Sequence, residues 1–339
     1  MSTIKDIARR AGVSTATVSR VINDSDKVSS VAREAVLEAM RELQYYPNTI
    51  ARSLKKESTM SIGVVIQDLS NSYLAEFCNS IENGVSDEGY LPLIASTNNN
   101  PQRERNYLEH MMQRHVDALV IQSCGKNNEF ISEISQRIPT LAVYRRVEHE
   151  DYRGDFIDDE NITTMYTLTR HLLEKGHRSI FIINGPQDIS SGYERYSGFS
   201  QAMRQFGIKI DKDYQYQFFS DYMRQGGADG CEKMLNMHDR ATALITTNGE
   251  LLLGALIYLR KQQVRIPEDL SVVSYSLPIN LPLFPVNVTS AIQSPSTLGE
   301  RAARLILERL KSARLPNREI IYPCPIEYGD SVRSLNSTP

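Results

Sequence analysis

The sequence predicts an α/β protein in which a small three-helix domain of the helix-turn-helix type precedes two lobes built on parallel sheets. Residues 3 to 43 contain three short helical patterns separated by turn residues. From Ser61 onward, short apolar runs alternate with segments of helical length, which is typical of parallel sheets covered by helices on both faces. The 339 residues are too many for one small core, and they leave room for two such sheets.

The first helix is predicted from the spacing of four apolar residues. Ile4, Ile7, Ala8 and Ala11 recur at i, i+3, i+4 and i+7, so they share one face of a helix. Gly12 is expected to end this helix, because glycine tolerates the left-handed conformation that helix C-termini favour.

The second helix is expected to begin near Thr15, with Ser14 accepting a hydrogen bond from an N–H of its first turn. Its buried stripe consists of Val18, Val21 and Ile22. The residues turned outward are small or polar and include one cation: Thr15, Ala16, Ser19 and Arg20. Short side chains near a helix N-terminus fit deep in a major groove, and an arginine can pair with guanine or bind phosphate. The turn spacing alone is equally compatible with a helical hairpin in another kind of globular domain.

A third amphipathic helix strengthens the helix-turn-helix interpretation. Ser29 or Ser30 can cap it. Its apolar face, which can cover the first two helices, is formed by Val36, Ala39, Met40 and Leu43. Residues 1 to 56 carry ten Lys and Arg against six Asp and Glu, a net charge of +4, whereas the remainder carries 28 against 35, a net charge of −7. A basic head on an acidic body favours polyanion binding by the head.

Pro47 disfavours helix at Tyr46, and the basic, glycine-free segment that follows is interpreted as a linker. The motif IKDIARRAGVSTATVSRVIN, followed by YYPNTIARSLK, resembles the LacI/GalR family of bacterial transcriptional regulators. The resemblance implies that residues 47 to 60 form a hinge, which folds into a short helix only on DNA while Leu54 wedges into the minor groove. From the residues alone, an unstructured tether is the alternative for this segment.

The resemblance also implies a homodimer on a pseudo-palindromic operator, acting as a repressor of a carbohydrate-utilisation operon. The residues expected to contact the operator DNA are Thr3, Thr15, Ala16, Thr17, Ser19, Arg20, Asn23, Asn48, Ala51, Arg52, Leu54 and Lys55. The polar tail GDSVRSLNSTP has no heptads, which favours a dimer over a tetramer. The alternative function is a ligand-binding receptor of the periplasmic type with a fortuitous N-terminal hairpin. Residues 1 to 23 lack a signal-peptide core, which favours the regulator and a cytoplasmic location.

The body of the chain contains seven strand-like runs: SIGVVIQD, LPLIAS, DALVIQS, TLAVYR, SIFIING, TALITT and LSVVSYS. The helical patterns between them include 72 to 87, 102 to 114, 162 to 175 and 250 to 262. The resemblance implies two Rossmann-like lobes of periplasmic-binding-protein type I architecture, with chain crossovers near 160, 291 and 322. The predicted domains are a DNA-binding head at 1–46, a hinge at 47–60, an N-terminal lobe at 61–160 with 292–322, and a C-terminal lobe at 161–291 with 323–339.

A small-molecule effector is expected between the lobes, because ligands of open α/β sheets bind beyond the carboxyl ends of the strands. The strand pattern places these loops there: 67 to 73, 144 to 148, 157 to 161, 193 to 199, 220 to 227, 247 to 250 and 274 to 278. The effector-binding residues expected from these loops and from the resemblance are Ser70, Tyr73, Arg145, Asp159, Arg195, Tyr222, Asn248 and Ser276.

The effector is expected to be an anion such as a sugar phosphate, because the chain departs from the resembled family at two acidic positions. Sugar-binding members commonly carry acids where this sequence has Gly249 and Ser276, and carboxylates there would repel an anionic ligand. Arg195 matches the arginine of the family's RxxG(F/W) motif, and Arg145 matches another cleft-side arginine; both side chains suit an oxyanion. The alternative is drift, in which a regulator that has lost its effector also loses these acids.

Enzymatic, metal and membrane functions find little support in the sequence. It contains no P-loop, no GxGxxG after a strand, and no GxSxG or HExxH motif. Asp158, Asp159 and Glu160 form a carboxylate cluster, but three consecutive residues cannot all face one metal ion. His177 follows Gly176 and is interpreted as part of a helix stop. No apolar run approaches the ~20 residues of a membrane span, and the four cysteines lack CxxC spacing. No metal or cofactor is expected.

Overall fold

The computed structural model describes residues 2–22, 27–45, 58–211, 213–278, 285–312 and 315–336. The chain divides into two compact units, Met1–Thr59 and Met60–Pro339. Six of the residues predicted to contact DNA lie outside the described residues: Asn23, Asn48, Ala51, Arg52, Leu54 and Lys55. The hinge predicted at 47–60 is therefore described only at its C-terminal end, and it remains a prediction.

The first unit contains three helices, α1 at Ile4–Ala11, α2 at Thr15–Ile22 and α3 at Ser30–Glu42. They pack around a small core formed by the predicted apolar faces. The buried residues of this core are Ile7, Ala8, Val18, Val21, Val36 and Ala39. Each helix is too short to be stable alone, so packing of these apolar faces holds the three together.

Local signals fix the ends of these helices. Gly12 follows α1 with a φ of 66°, the left-handed conformation that glycine adopts without steric cost. The Oγ atom of Ser14 accepts a hydrogen bond from the Thr17 N–H at 3.1 Å and so caps α2. Ser29 caps α3, since its Oγ atom accepts from the Ala32 N–H at 3.4 Å.

The first sheet of the second unit forms the centre of one lobe. Its strands are β1 at Ser61–Ile66, β2 at Leu91–Ser96, β3 at Ala118–Ile121, β4 at Thr140–Val143, β5 at Asp155–Asp159 and β11 at Glu319–Tyr322. All pairs are parallel, in the order β11-β5-β4-β3-β1-β2. The helices of this lobe are α4 at Ser72–Ser86, α5 at Pro101–Gln113, α6 at Asn128–Ser135 and α11 at Pro295–Lys311.

The second sheet forms the centre of the other lobe. Its strands are β6 at Ile180–Asn184, β7 at Gln217–Phe219, β8 at Ala243–Thr246, β9 at Ser271–Ser274, β10 at Thr289–Ala291 and β12 at Ile326–Glu327. They lie in the order β12-β10-β9-β8-β6-β7, and only β12 is antiparallel to its neighbour. The helices of this lobe are α7 at Ile162–Glu174, α8 at Ser190–Gln205, α9 at Arg224–Leu235 and α10 at Gly249–Lys261.

The chain passes between the two sheets three times: between β5 and β6, between β10 and β11, and between β11 and β12. The strands on either side of positions 160, 291 and 322 therefore belong to different sheets. Every residue of β1 is buried, because helices cover both faces of the sheet: Ile62 and Val64 pack into one apolar cluster, and Val65 packs into another on the opposite face.

Six of the seven segments that the sequence predicted as loops include helix or strand residues, and the overlap is largest in three of them. Residues 157 to 159 belong to β5, and residues 193 to 199 lie within α8. Residues 224 to 227 form the first turn of α9. The prediction for β5 was wrong because a strand rich in aspartate resembles a loop, whereas here all five of its residues are buried.

Asp155 joins the start of β5 to the part of the chain that returns to this lobe. Its carboxylate binds two arginines: Arg309 at the end of α11, at 2.5 Å, and Arg318 just before β11, at 2.8 Å. The side chains of Asp155 and Arg309 are 1% and 5% exposed, so this is a buried ion pair. Burial alone raises the pKa of Asp155, but the hydrogen bonds from the two guanidinium groups outweigh it and hold that pKa below its usual value.

Candidate functional site

The surface of α2 carries the residues predicted to read DNA bases. Thr15, Ala16 and Arg20 are exposed, whereas Thr17 and Ser19 are half-buried. The Thr17 hydroxyl lies 2.9 Å from the Ser14 hydroxyl, which ties it to the turn before the helix. The three exposed side chains are therefore the ones placed to enter a major groove.

Thr3, also predicted to contact DNA, has a structural role at the start of α1. Its hydroxyl donates to Asp6 Oδ2 at 2.7 Å and accepts from the Asp6 N–H at 3.4 Å. Asp6 Oδ2 in turn accepts from the Thr3 N–H at 2.9 Å, which completes a capping box. In the sequence, this capping box is indicated by the spacing of Thr3 and Asp6, three residues apart.

A cleft between the two lobes of the second unit brings together six of the eight predicted effector residues. Its volume is about 630 Å³ when the open mouth is included. The six predicted residues that line it are Tyr73, Arg145, Arg195, Tyr222, Asn248 and Ser276. Further lining residues that the sequence did not single out include Gln67, Gln122, Tyr144, Ser191 and Gln293. Gln67 and Tyr144 lie in predicted strand-end loops, whereas Gln293 follows β10 in a crossover and carried no sequence signal.

Ser70 and Asp159 do not line this cleft. The Ser70 hydroxyl donates to the Asp68 carboxylate at 2.8 Å, within its own exposed loop. Asp159 is 2% exposed and accepts hydrogen bonds from the Tyr73 hydroxyl at 2.8 Å and from Gln293 Nε2 at 2.5 Å. Because Tyr73 and Gln293 line the cleft, Asp159 supports its wall from behind and does not face a ligand.

Arg145 comes from the lobe of the first sheet, just after β4, and is 2% exposed. Its Nη1 atom donates to Asn99 Oδ1 at 2.8 Å and to the Ser123 carbonyl at 3.1 Å, and its Nη2 atom donates to Gln67 Oε1 at 2.5 Å. Its Nε atom is buried and has no hydrogen-bond partner among the described residues. Burial lowers the pKa of Arg145, but a guanidinium remains charged at any physiological pH.

Arg195 comes from α8 in the other lobe and is 8% exposed. It donates from Nε to Asn161 Oδ1 at 2.8 Å and from Nη1 to the Thr247 carbonyl at 2.7 Å. The guanidinium carbon lies 3.8 Å from the centre of the Tyr275 ring, so a cation–π contact supports its face. In the described part of the chain, neither Arg195 nor Arg145 forms an ion pair with a carboxylate.

Tyr222 forms one wall of the cleft in a strained backbone conformation. Its φ is 69°, and Asn248 holds it there by donating from Nδ2 to the Tyr222 carbonyl at 3.0 Å. Asn248 also caps α10, since its Oδ1 atom accepts from the Leu251 N–H at 2.8 Å. The Tyr222 ring packs directly on Gly185, where an added Cβ would lie 2.0 Å from the ring. Glycine is therefore required at 185 for the wall to form.

Acidic groups close to the cleft are neutralised or directed away from it. Glu250 lines the cleft but pairs with Arg224 at 3.0 Å. Asp158, at the end of β5, is 1% exposed, and burial raises its pKa to about 7. Burial also raises the pKa of Asp159. The cleft therefore presents two buried cations without a matching pair of exposed carboxylates.

No metal centre or membrane helix is evident in the described ranges. They contain no group of three or more His, Cys, Asp or Glu side chains that could hold a metal ion. His177 is fully buried, with Nδ1 at 2.9 Å from the Thr242 hydroxyl and Nε2 at 3.1 Å from the Arg333 carbonyl. It connects the end of α7 to neighbouring segments of its lobe. None of the described helices is long and apolar enough to cross a membrane.

Two family models match the chain. The model for periplasmic binding proteins and the sugar-binding domain of the LacI family matches residues 59–328, and the model for bacterial regulatory proteins of the lacI family matches residues 3–48. The chain belongs to the LacI family. This confirms the family predicted from the head motif, and with it the helix-turn-helix head and the two-lobed α/β body. The protein is a DNA-binding transcriptional regulator with an effector-binding domain.

Individual relatives agree with this assignment. The chain is 34% identical over 333 residues to the HTH-type transcriptional repressor PurR of Erwinia tasmaniensis, and 32% identical to PurR of Klebsiella pneumoniae; each alignment covers 96% of both proteins. Among solved structures, a lac repressor dimer bound to operator and the anti-inducer ONPF matches with a TM-score of 0.83 at 21% identity, covering 98% of this chain and 99% of that one. A complex of the regulator CelR with cellobiose matches with a TM-score of 0.71 at 25% identity, covering 98% of this chain and all of that one. The PurR relatives are named as repressors and not as enzymes.

Proposed function

We propose that this LacI-family protein is a cytoplasmic, non-enzymatic repressor that binds a pseudo-palindromic operator as a homodimer and is controlled by an anionic, hydroxylated effector such as a sugar phosphate. One observation supports the effector class above all others. Arg145 and Arg195, one from each lobe, are both buried in the wall of one cleft and have no ion-paired carboxylate among the described residues.

Burial penalises the charge of both guanidinium groups, and neither has a carboxylate in direct contact to offset that penalty. At Arg195 burial is opposed by attraction to Tyr222, Tyr275, Asp158 and Asp159, which raises the pKa of the guanidinium. An oxyanion bound between the two arginines would place an opposite charge in direct contact with both guanidinium groups. Since the two side chains come from different lobes, such a ligand would also hold the lobes together. The anion is therefore expected to favour the closed cleft.

Neutral polar groups around the arginines suit the hydroxyl groups of a sugar. The amide side chains of Gln67, Gln122 and Gln293 line the cleft and can both donate and accept hydrogen bonds. The only carboxylate among the described lining residues is Glu250, which is already paired with Arg224. A neutral sugar, as in the CelR complex with cellobiose, would leave both arginines here without an anion in direct contact.

Titration calorimetry on the full chain tests the effector class, with glucose 6-phosphate, glucose, cellobiose and inorganic phosphate as probes. We expect the phosphorylated sugar to bind more tightly than the neutral sugars. Arg195→Ala should weaken it by about 30-fold or more, because a charge-assisted hydrogen bond and its Coulomb attraction contribute about 2–4 kcal/mol. Arg170→Ala is the matched control, since Arg170 is an exposed cation paired with Glu174.

Three outcomes would contradict the effector proposal. A neutral sugar that binds as tightly as its phosphate would exclude an anionic effector, and so would unchanged affinity in Arg195→Ala. If none of a wider set of sugar phosphates, carboxylates and nucleobases binds, the protein has lost its effector.

The operator proposal is tested at Arg20, which is exposed on α2. Arg20→Ala should cost about 1–3 kcal/mol of specific binding and relax base preference at one position in each half-site. Footprinting and selection from random DNA measure both quantities. A footprint without two-fold symmetry, or an unchanged base preference in the variant, would contradict a dimer that reads two half-sites. The carbohydrate operon expected from the resemblance remains a prediction that the effector assay addresses.

A further inference from the structure

Asn161 occupies the N-cap position of α7, but its side chain does not cap the helix. Asparagine at this position normally accepts a hydrogen bond from the first turn. Here Glu160 takes over that function, since its Oε1 atom accepts from the Thr163 N–H at 3.1 Å. The Asn161 side chain, which is 3% exposed, is thereby available for other contacts.

The chemistry of its neighbours fixes the orientation of the Asn161 amide. Its Nδ2 atom donates to Asp158 Oδ2 and to Glu194 Oε2, both at 2.8 Å. A guanidinium only donates hydrogen bonds, so the amide oxygen must face Arg195 and the NH₂ group must face the carboxyl oxygens. The amide oxygen then points the other way, where it accepts from Arg195 Nε at 2.8 Å. An inverted amide would place NH₂ against a guanidinium, which only donates, and oxygen against two carboxylates.

We infer that Asn161 is a positioning residue for the effector anion, because it locks the Arg195 guanidinium in the orientation that faces the cleft. This inference rests on the proposed function. Asn161 holds Nε and the Thr247 carbonyl holds Nη1, while the Tyr275 ring supports the guanidinium face. In the described part of the chain these contacts do not use Nη2, which is left for a ligand. A guanidinium that is already oriented loses less conformational freedom when the anion binds.

The same contacts continue to the other lobe. Glu194, which holds the Asn161 amide through Oε2, accepts from Arg146 Nε through Oε1 at 3.2 Å. Arg146 follows β4 in the lobe of the first sheet and also pairs with Glu319 of β11 at 2.6 Å. Asn161 therefore connects the anion-binding arginine of one lobe with an ion pair that bridges both lobes.

The experiment compares the full-length wild-type protein with Asn161→Ala, and uses Asn100→Ala as matched control. Asn100 is also a helix N-cap, but its Oδ1 atom does cap α5 by accepting from the Arg103 N–H at 2.9 Å. Calorimetry with glucose 6-phosphate and with inorganic phosphate gives the affinity. We expect Asn161→Ala to weaken both probes about tenfold, the usual effect of losing a hydrogen bond to a charged group. Asn100→Ala should leave both affinities unchanged.

A second measurement reports on Arg195 without any ligand. The Nε–H resonance of Arg195, assigned by its loss in Arg195→Lys, should exchange slowly with water in the wild type because it is buried and donates to Asn161. In Asn161→Ala its exchange should be at least about tenfold faster. Asn161→Ser keeps an oxygen that can accept from Arg195 and should give intermediate affinity and exchange, and it replaces the alanine variant if that variant does not fold.

The two proposals fail in different ways. If the wild type binds phosphate probes and Asn161→Ala binds them equally well, Asn161 does not position Arg195 for the anion, while the proposed effector class stands. If Arg195 Nε–H remains protected in Asn161→Ala, the positioning role is likewise refuted. If the wild type binds no anion although Asn161→Ala exposes Arg195 Nε–H to exchange, the proposed effector class is refuted, and with it any role of Asn161 toward an anion.

Discussion

Replacing Asp155 by asparagine should strongly destabilise the lobe of the first sheet. The carboxylate binds Arg309 in a bidentate manner, with Nη2 to Oδ1 at 2.5 Å and Nε to Oδ2 at 3.0 Å, and it also binds Arg318. Arg318 keeps a second carboxylate partner, Glu308. Arg309 would keep only neutral acceptors, namely the carbonyl groups of Leu315 and Pro316 and the amide oxygen of the new side chain, and would become a buried charge without a counter-charge.

The expected cost of Asp155→Asn is about 3–5 kcal/mol, the usual penalty for removing one partner of a buried ion pair. A typical domain has about 5–15 kcal/mol of stability in total, so the loss should be easy to detect. Asp269→Asn is a suitable control, because Asp269 also pairs with an arginine, Arg265 at 2.7 Å, and its pKa is lowered by that contact to about 2. That pair is exposed to solvent, so its loss should leave the unfolding midpoint nearly unchanged.

Urea unfolding followed by far-ultraviolet circular dichroism measures both variants, since the chain contains no tryptophan for fluorescence. The pKa of Asp155 is lower in the folded protein than its usual value, so its contribution is present above the unfolded-state pKa and lost as the pH falls through the folded-state pKa. The difference between wild type and Asp155→Asn should thus be constant from about pH 8 to pH 5 and shrink below about pH 4. A difference under about 1 kcal/mol at pH 7 would show that Arg309 finds other compensation and would refute the reasoning.

Two further predictions concern the hinge and the cleft wall. Leu54→Ala should weaken binding to operator DNA much more than binding to non-specific DNA. The reason is that Leu54 unstacks a base step only in the bent operator complex, where the added protein–DNA contacts offset the energy of unstacking. Equal losses of affinity for both DNAs in a gel-shift assay would contradict this. Gly185→Ala should displace the Tyr222 ring, because the new Cβ would lie 2.0 Å from it. The variant should lose about 1–3 kcal/mol of stability, and it should bind glucose 6-phosphate more weakly than the wild type. In calorimetry, Gly185→Ala combined with Tyr222→Ala should bind no more weakly than Tyr222→Ala alone, and an additive loss would show that Gly185 acts elsewhere.

Local patterns in the sequence were sufficient for the helix-turn-helix head. Each helix end there is determined by residues within one turn of it: Gly12 ends α1, Ser14 caps α2 before Thr15, and Ser29 caps α3. The strand and helix alternation of the body was also predictable from local patterns, since the runs at β1, β3 and β8 are mostly apolar, as expected of buried strands.

Strand β5 shows where local patterns fail. Asp155, Asp158 and Asp159 give it a loop-like composition, yet all three side chains are buried. The groups that make this burial possible lie far away in sequence: Arg309 and Arg318 bind Asp155, and the Tyr73 hydroxyl binds Asp159. Compensation of a buried charge depends on contacts that only the folded chain creates, so no window of sequence contains it.

The cleft likewise has features that the sequence predicts and features that only the folded structure shows. The sequence by itself determined the family, the two-lobed architecture and the presence of arginines and tyrosines near the strand ends. Only the tertiary structure decided that Arg145 and Arg195 share one cleft while Asp159 supports the wall behind Tyr73 and Gln293. It also assigned the Asn161 side chain to Arg195 and not to its own helix. The physical reason is that the charge felt by a ligand depends on which groups face it through space, and that is set by packing between segments distant in the chain.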